Sequence, residues 1–80
     1  MRSTETRKVC VKLLGYIAEM LGFRNRELNI GKGLRVRELL KGVNVDEKRI
    51  IVLINGKPAN MDSILRGGEY VVIMPVVGGG

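Results

Sequence analysis

The residues best placed to do chemistry are the last ones in the sequence. The run Gly68-Glu69-Tyr70-Val71-Val72-Ile73-Met74-Pro75-Val76-Val77-Gly78-Gly79-Gly80 joins an apolar segment to three successive glycines. Tyr70 to Met74 has the length of a buried strand and is too short to read as a helix. Pro75 has no N–H to donate and stops a strand ladder. Residues 76–80 follow; fully extended, at roughly 3.3–3.6 Å each, they reach about 17 Å beyond the sheet. Glycine adopts backbone angles closed to other residues, and without a Cβ it can enter a channel that a branched side chain blocks. The expected chemistry is that of a glycine carboxylate on a thin, flexible arm. Chain ends are commonly disordered for no functional reason, but disorder alone does not ask for three glycines directly after a core strand.

The side chains offer little other chemistry. The sequence has no His and one Cys, Cys10. That argues against a His/Cys metal site and removes the commonest general base, together with any Ser/His or Cys/His nucleophile pair. No catalytic residue, metal or bound cofactor is expected. A single cysteine forms no internal disulfide, in keeping with a reducing compartment. In a strand, Cys10 reads as a small packed hydrophobe beside Lys12. No apolar stretch approaches the roughly 20 residues of a membrane span. Residues 1–8 are polar and lack the apolar centre of a signal peptide. The expected location is the cytoplasm, with no membrane partner. The net charge of +6 and pI near 10.0 permit nucleic acid, an anionic surface or an acidic protein as partner. The basic residues are dispersed, however, and three aromatics make a poor base-stacking platform. Nucleic acid is therefore disfavoured, and the charge is expected to steer acidic protein partners.

These features need a small scaffold to position them. Eighty residues, 45% hydrophobic and 28% charged, make one domain with a modest core. Residues 1–8 read as a flexible N-terminal segment, 9–75 as the folded domain and 76–80 as the flexible tail. Val9-Cys10-Val11-Lys12-Leu13-Leu14 alternates as a strand. Tyr16 to Leu21 reads as a short helix with Ile17, Met20 and Leu21 inward and Gly22 as its C-cap. Arg24 to Ile30 suits a strand exposed on one side. The spacing of Val36, Leu39, Leu40 and Val43 predicts the main helix over about 34–42, lying across the sheet. Ile50 to Ile54 is an apolar strand ended by the hairpin pair Asn55-Gly56, and Pro58 confines the returning arm to an edge. Asn60 to Arg66 reads as a loop with one helical turn near Asp62. The expected architecture is α+β: a mixed sheet of four to five strands, with residues 9–14 and 70–74 as central neighbours and one main helix packed across it.

At three places the sequence resembles the ubiquitin-like (β-grasp) sulfur carriers of the MoaD/ThiS group. These are Val9 to Leu14 with Gly22, the hairpin Ile54-Asn55-Gly56, and the ending Gly68 to Gly80. Only the ending is specific, and it departs from the family pattern at Glu69, Tyr70 and Val76. The helix between the first two strands favours MoaD; the Val-Gly-Gly-Gly finish leans toward ThiS. The resemblance implies that a ubiquitin-activating-type adenylyltransferase uses ATP to adenylate Gly80. Persulfide sulfur then displaces AMP and leaves a thiocarboxylate. Val77, Gly78, Gly79 and Gly80 would enter the partner's active site, and the acceptor could be the large subunit of a molybdopterin synthase or another sulfur-accepting enzyme. A lysine amine attacking the activated end would instead make the chain a protein modifier, and a ThiS-type thiamine carrier is a further alternative. Val52 to Pro58 with Gly68 to Val71 also resembles the αL RNA-binding motif of certain ribosomal proteins and pseudouridine synthases, but that motif begins with two helices.

Overall fold

Alternation of β-branched and polar residues at the start of the chain commits it to a strand with one buried face. In the computed structural model, which describes residues 7–76, β1 spans Lys8–Leu13 and buries Val9, Val11 and Leu13. It is followed by α1 (Tyr16–Leu21), β2 (Asn25–Asn29), β3 (Leu34–Arg35) and α2 (Val36–Leu39). A 3-10 turn at Glu47–Arg49 leads into β4 (Ile50–Ile54), β5 (Lys57–Ala59), β6 (Ile64–Leu65) and β7 (Tyr70–Pro75). Five strands form one mixed sheet in the order β2-β1-β7-β4-β5. β1 and β7 are parallel central neighbours, as the sequence predicts, and the other pairs are antiparallel. β3 and β6 make a separate two-stranded ribbon. One core gathers Val9, Val11, Val52, Val71 and Ile73 from the sheet with Ile17, Val36, Leu40 and Leu65 from the covering layer.

The hairpin between β4 and β5 turns on Asn55 and Gly56, whose φ values of 53° and 82° are the pair of positive angles a type I′ turn requires. Asn55 also ties the turn to β7. Its N–H donates to the Tyr70 carbonyl (2.8 Å), and its Oδ1 accepts from the Tyr70 N–H (3.0 Å). Pro58 lies on β5 at the sheet edge, opposite Leu53, where a missing N–H is tolerated.

Several elements differ from the sequence-based expectation. The main helix expected over 34–42 is only Val36–Leu39, because Leu34 and Arg35 pair as a strand with Leu65 and Ile64. The N–H groups of Val36 and Arg37, unpartnered at any helix start, donate to the carbonyls of Ser63 (3.0 Å) and Met61 (2.9 Å). The loop expected at Asn60–Arg66 is thus a docking partner for the helix and contains β6. Of the expected stripe, Val36 and Leu40 are buried and Leu39 is half-buried beside them; Arg35 and Arg37 are exposed. In α1, Ala18 takes the inward place expected for Met20, which is exposed, because the short helix seats Ile17, Ala18 and Leu21 on the core. Lys8 belongs to β1 rather than to the N-terminal segment, and the Arg7 carbonyl accepts from the Ile30 N–H. The remainder of the two terminal segments lies almost wholly outside the described residues.

The ribbon supplies a sharp test. Leu65 has no exposed surface and Ile64 is 48% exposed. Leu65→Ala is expected to cost about 2–5 kcal/mol in urea unfolding, and Ile64→Ala no more than about 1 kcal/mol. Equal costs would show that segment 60–66 is the loose loop its composition suggests.

Candidate functional site

The site expected from the sequence is the tail, and Val77, Gly78, Gly79 and Gly80 lie outside the described residues. What the structure does describe is their root. Residues of β7 point their backbone groups alternately toward β1 and β4. The Glu69 and Ile73 carbonyls accept from Cys10 and Leu14 on the β1 side, and the Tyr70 carbonyl accepts from Asn55 on the β4 side. Pro75 therefore faces β1. There the chain has already left the sheet, since β1 ends at Leu13 and Gly15 turns into α1. The proline thus sits at the last position of a central strand, past the end of its pairing with β1, where its missing N–H interrupts no continuing ladder. On the other side the ladder continues one residue further, the Val76 N–H donating to the Arg49 carbonyl at 2.8 Å. The chain is held up to Val76, between Gly15 and Arg49.

Beside this root lies the uncovered face of the sheet. Tyr70, Val72 and Met74 alternate with the buried Val71 and Ile73. Val72 sits between Lys12 and Leu53, Met74 opposite Ile51, and Tyr70 opposite Cys10. Tyr70 and Ile51 are 44% and 39% exposed, and Pro58 extends the apolar strip to the edge. An exposed apolar strip rimmed by polar groups is the usual mark of a protein contact surface. Cys10 is exposed rather than packed, which corrects the expectation for it; its place on the uncovered face explains the difference.

The entrance to β7 is fixed by Glu69. Its carboxylate accepts from the backbone N–H groups of Arg66 (2.8 Å) and Gly67 (2.7 Å). Gly67 and Gly68 both have positive φ, and the Gly68 N–H donates to the Lys8 carbonyl. Partial burial pushes the Glu69 carboxyl upward, but the hydrogen bonds from Arg66, Gly67 and its own N–H, with the Arg66 charge, outweigh it and hold it below its ordinary value. Arg37 bridges Asp62 (2.9 Å) and Glu47 (2.6 Å), joining α2 to the segments before β6 and β4. Exposed as it is, this pairing serves geometry more than stability. Among the described residues, no three His, Cys, Asp or Glu side chains gather as a metal site. No described helix is long and apolar enough to cross a membrane.

Residues 11–80 match the ThiS family over most of the chain. The chain belongs to that family. Its fold is shared with solved structures of related kinds. A Pyrococcus furiosus protein assigned as subunit 1 of molybdopterin converting factor is 25% identical, with a TM-score of 0.67 over 90% of this chain and 100% of that one. Small archaeal modifier protein 1 of Haloferax volcanii is 22% identical, with a TM-score of 0.68 over 91% and 99%. Its counterpart from Methanosarcina acetivorans is 24% identical, with a TM-score of 0.62 over 96% and 100%. The chain is thus a ThiS-family protein with a ubiquitin-like β-grasp fold. The RNA-motif resemblance fits neither this membership nor a structured region that opens on β1 rather than on two helices.

The Glu69 loop makes a pH prediction for this ThiS-family domain. A carboxyl held below its ordinary value contributes stability that is fully present above that ordinary value and is lost as pH falls through the lowered one. Thermal melts of wild type from neutral pH down to pH about 3 are expected to show an acid loss that Glu69→Gln lacks, the variant being less stable at neutral pH. Parallel acid profiles for the two proteins would remove Glu69 from the account.

Proposed function

We propose that this chain is a sulfur carrier of the MoaD type, working in the cytoplasm, with Gly80 as its reacting residue. A ubiquitin-activating-type adenylyltransferase joins the Gly80 carboxylate to the α-phosphorus of ATP and releases pyrophosphate. A persulfide on the enzyme attacks the acyl carbon and expels AMP, giving an acyl disulfide. A second enzyme thiol attacks the enzyme-side sulfur, leaving an enzyme disulfide and a thiocarboxylate at Gly80. That sulfur passes to an acceptor such as the large subunit of a molybdopterin synthase. The chain supplies no acid, base or metal to these steps; ATP is bound by the partner.

The observation that carries this reading is the root of the tail. A strand pinned to its last residue, ending in Pro75, precedes a run of three glycines in a chain of the ThiS family. The strip of Tyr70, Val72, Met74, Ile51 and Leu53 beside that root offers the partner a docking face, and Lys12, Lys48 and Arg49 nearby favour an acidic one. The same adenylate attacked by a lysine amine would join the chain to another protein. Intact mass of the protein from its native host separates the two: replacement of one oxygen by sulfur marks the carrier, and a ladder of conjugates marks the modifier.

Gly79 and Gly80 are expected to be indispensable for activation and nearly irrelevant to folding, since neither has a side chain to bury. Gly79→Val and deletion of Gly80 should each melt within about 0.5 kcal/mol of wild type. Each should lower ATP–pyrophosphate exchange with the host's adenylyltransferase about a hundredfold or more, the scale on which misplacing a reacting group is felt. Wild-type exchange by both variants would end the carrier reading.

A further inference from the structure

We propose that Gly15, in the turn between β1 and α1, is a positioning residue that sets the direction in which the chain leaves the sheet; the inference rests on the carrier reading above. Gly15 has φ 62° and ψ −147°, a region that side-chain-bearing residues avoid. A Cβ built there would stand 2.9 Å from Pro75 Cγ and 3.2 Å from Cδ. The proline ring therefore rests directly on the face of Gly15.

Beyond a small change of ring pucker, the contact has little local relief. Pro75 has no long side chain to swing aside, and its ring locks its own φ. The strand beneath it is pinned on both sides, by the Leu14 N–H on the Ile73 carbonyl at 3.0 Å and by the Val76 N–H on the Arg49 carbonyl at 2.8 Å. A methyl group at position 15 must therefore move the turn or move Pro75. Moving Pro75 redirects every residue after it. The docking strip, on the uncovered face of β7, β4 and β5, makes no use of Gly15.

This separates binding from placement. Gly15→Ala is expected to leave KM for the carrier in ATP–pyrophosphate exchange within about twofold and to lower kcat about tenfold or more, because the carboxylate arrives misaligned at the same docked domain. Pro75→Ala removes the ring carbons that the new methyl meets but not the backbone strain of a side chain at φ 62°. Adding Gly15→Ala to Pro75→Ala should therefore lower kcat clearly less than it does in wild type, a coupling that independent sites do not show, while the loss of melting temperature persists. Hydrogen exchange gives a readout apart from activity. The Val76 amide should exchange faster in Gly15→Ala than its melting temperature accounts for, while the amides of Val71 and Ile73 follow global stability alone.

The outcomes are distinct. An active wild type with unchanged kcat in Gly15→Ala overturns the inference. So does a loss of kcat that vanishes at lower temperature together with unfolding, since that is a structural effect only. A wild type that supports no exchange at all ends the carrier reading, and the role given to Gly15 falls with it. The split of kcat from KM, the smaller loss in the Pro75→Ala background and the selective release of the Val76 amide together establish it.

Discussion

Parallel pairing of the first and last described strands constrains everything else in this molecule. β1 and β7 run the same way, with Val11 opposite Val71 and Leu13 opposite Ile73, so both chains leave the sheet at the same end. β1 stops at Leu13 and turns aside at Gly15, while β7 continues to Pro75. The vacancy left by β1 then makes room for a proline in the centre of the sheet, a residue elsewhere confined to edges. Because this pairing joins the two ends of the folded segment, loop closure must come before it is rewarded. The root of the tail is thus part of the central sheet pairing rather than of a separate local structure.

The same sheet separates two tasks by face. Its inner surface spends the alternating residues Val9, Val11, Val52, Val71 and Ile73 on the core, where each fully buried aliphatic side chain contributes roughly 1.5–3 kcal/mol. The outer surface keeps Val72, Met74, Ile51 and Leu53 in positions that add less to stability because nothing in the described chain covers them. Period two makes the division unavoidable: an apolar run such as Ile50 to Ile54 or Tyr70 to Met74 must show half its side chains to the outer face. Apolar residues on both sides of one strand let the domain hold its own fold and still present an apolar contact face.

Much of this was legible in the sequence, and the misses have one cause. The strand at Val9 to Leu14, the Asn55-Gly56 hairpin, the edge Pro58 and the final strand all follow from local rules, and the structure agrees with one exception. β7 runs through Pro75, where a proline is expected to stop the ladder, because on the β4 side no N–H is asked of it. Leu34 to Lys41 carries an equally clear helical stripe, yet its first two residues pair with Ile64 and Leu65. A two-residue strand is too short for any periodicity, and the carbonyls of Met61 and Ser63 that start α2 are far along the chain. Met20 and Ala18 exchanged roles because a six-residue helix can rotate to seat a small residue inward. In the sequence, Gly15 merely separates the strand at Val9 to Leu14 from the helix that starts at Tyr16. What makes it matter, the ring of Pro75 at van der Waals distance, is a tertiary contact that composition cannot announce. The tail chemistry rests on residue type and family resemblance, and residues 77–80 lie outside the described structure.

Holding the strand out to Val76 also bears on the energetics of any partner that must order the tail. Each residue fixed on binding costs roughly 1–2 kcal/mol of backbone entropy. If β7 frayed at Met74, a partner would have to order Pro75 and Val76 as well, and affinity would fall by that amount without the loss of a single contact. Folding orders them instead, through a hydrogen bond to the Arg49 carbonyl and a ring seated on Gly15. The domain therefore delivers its tail from a preorganised point, which lowers the ordering cost of association. This gives a physical reason for a core strand to run directly into a glycine segment with only one proline and two valines between them.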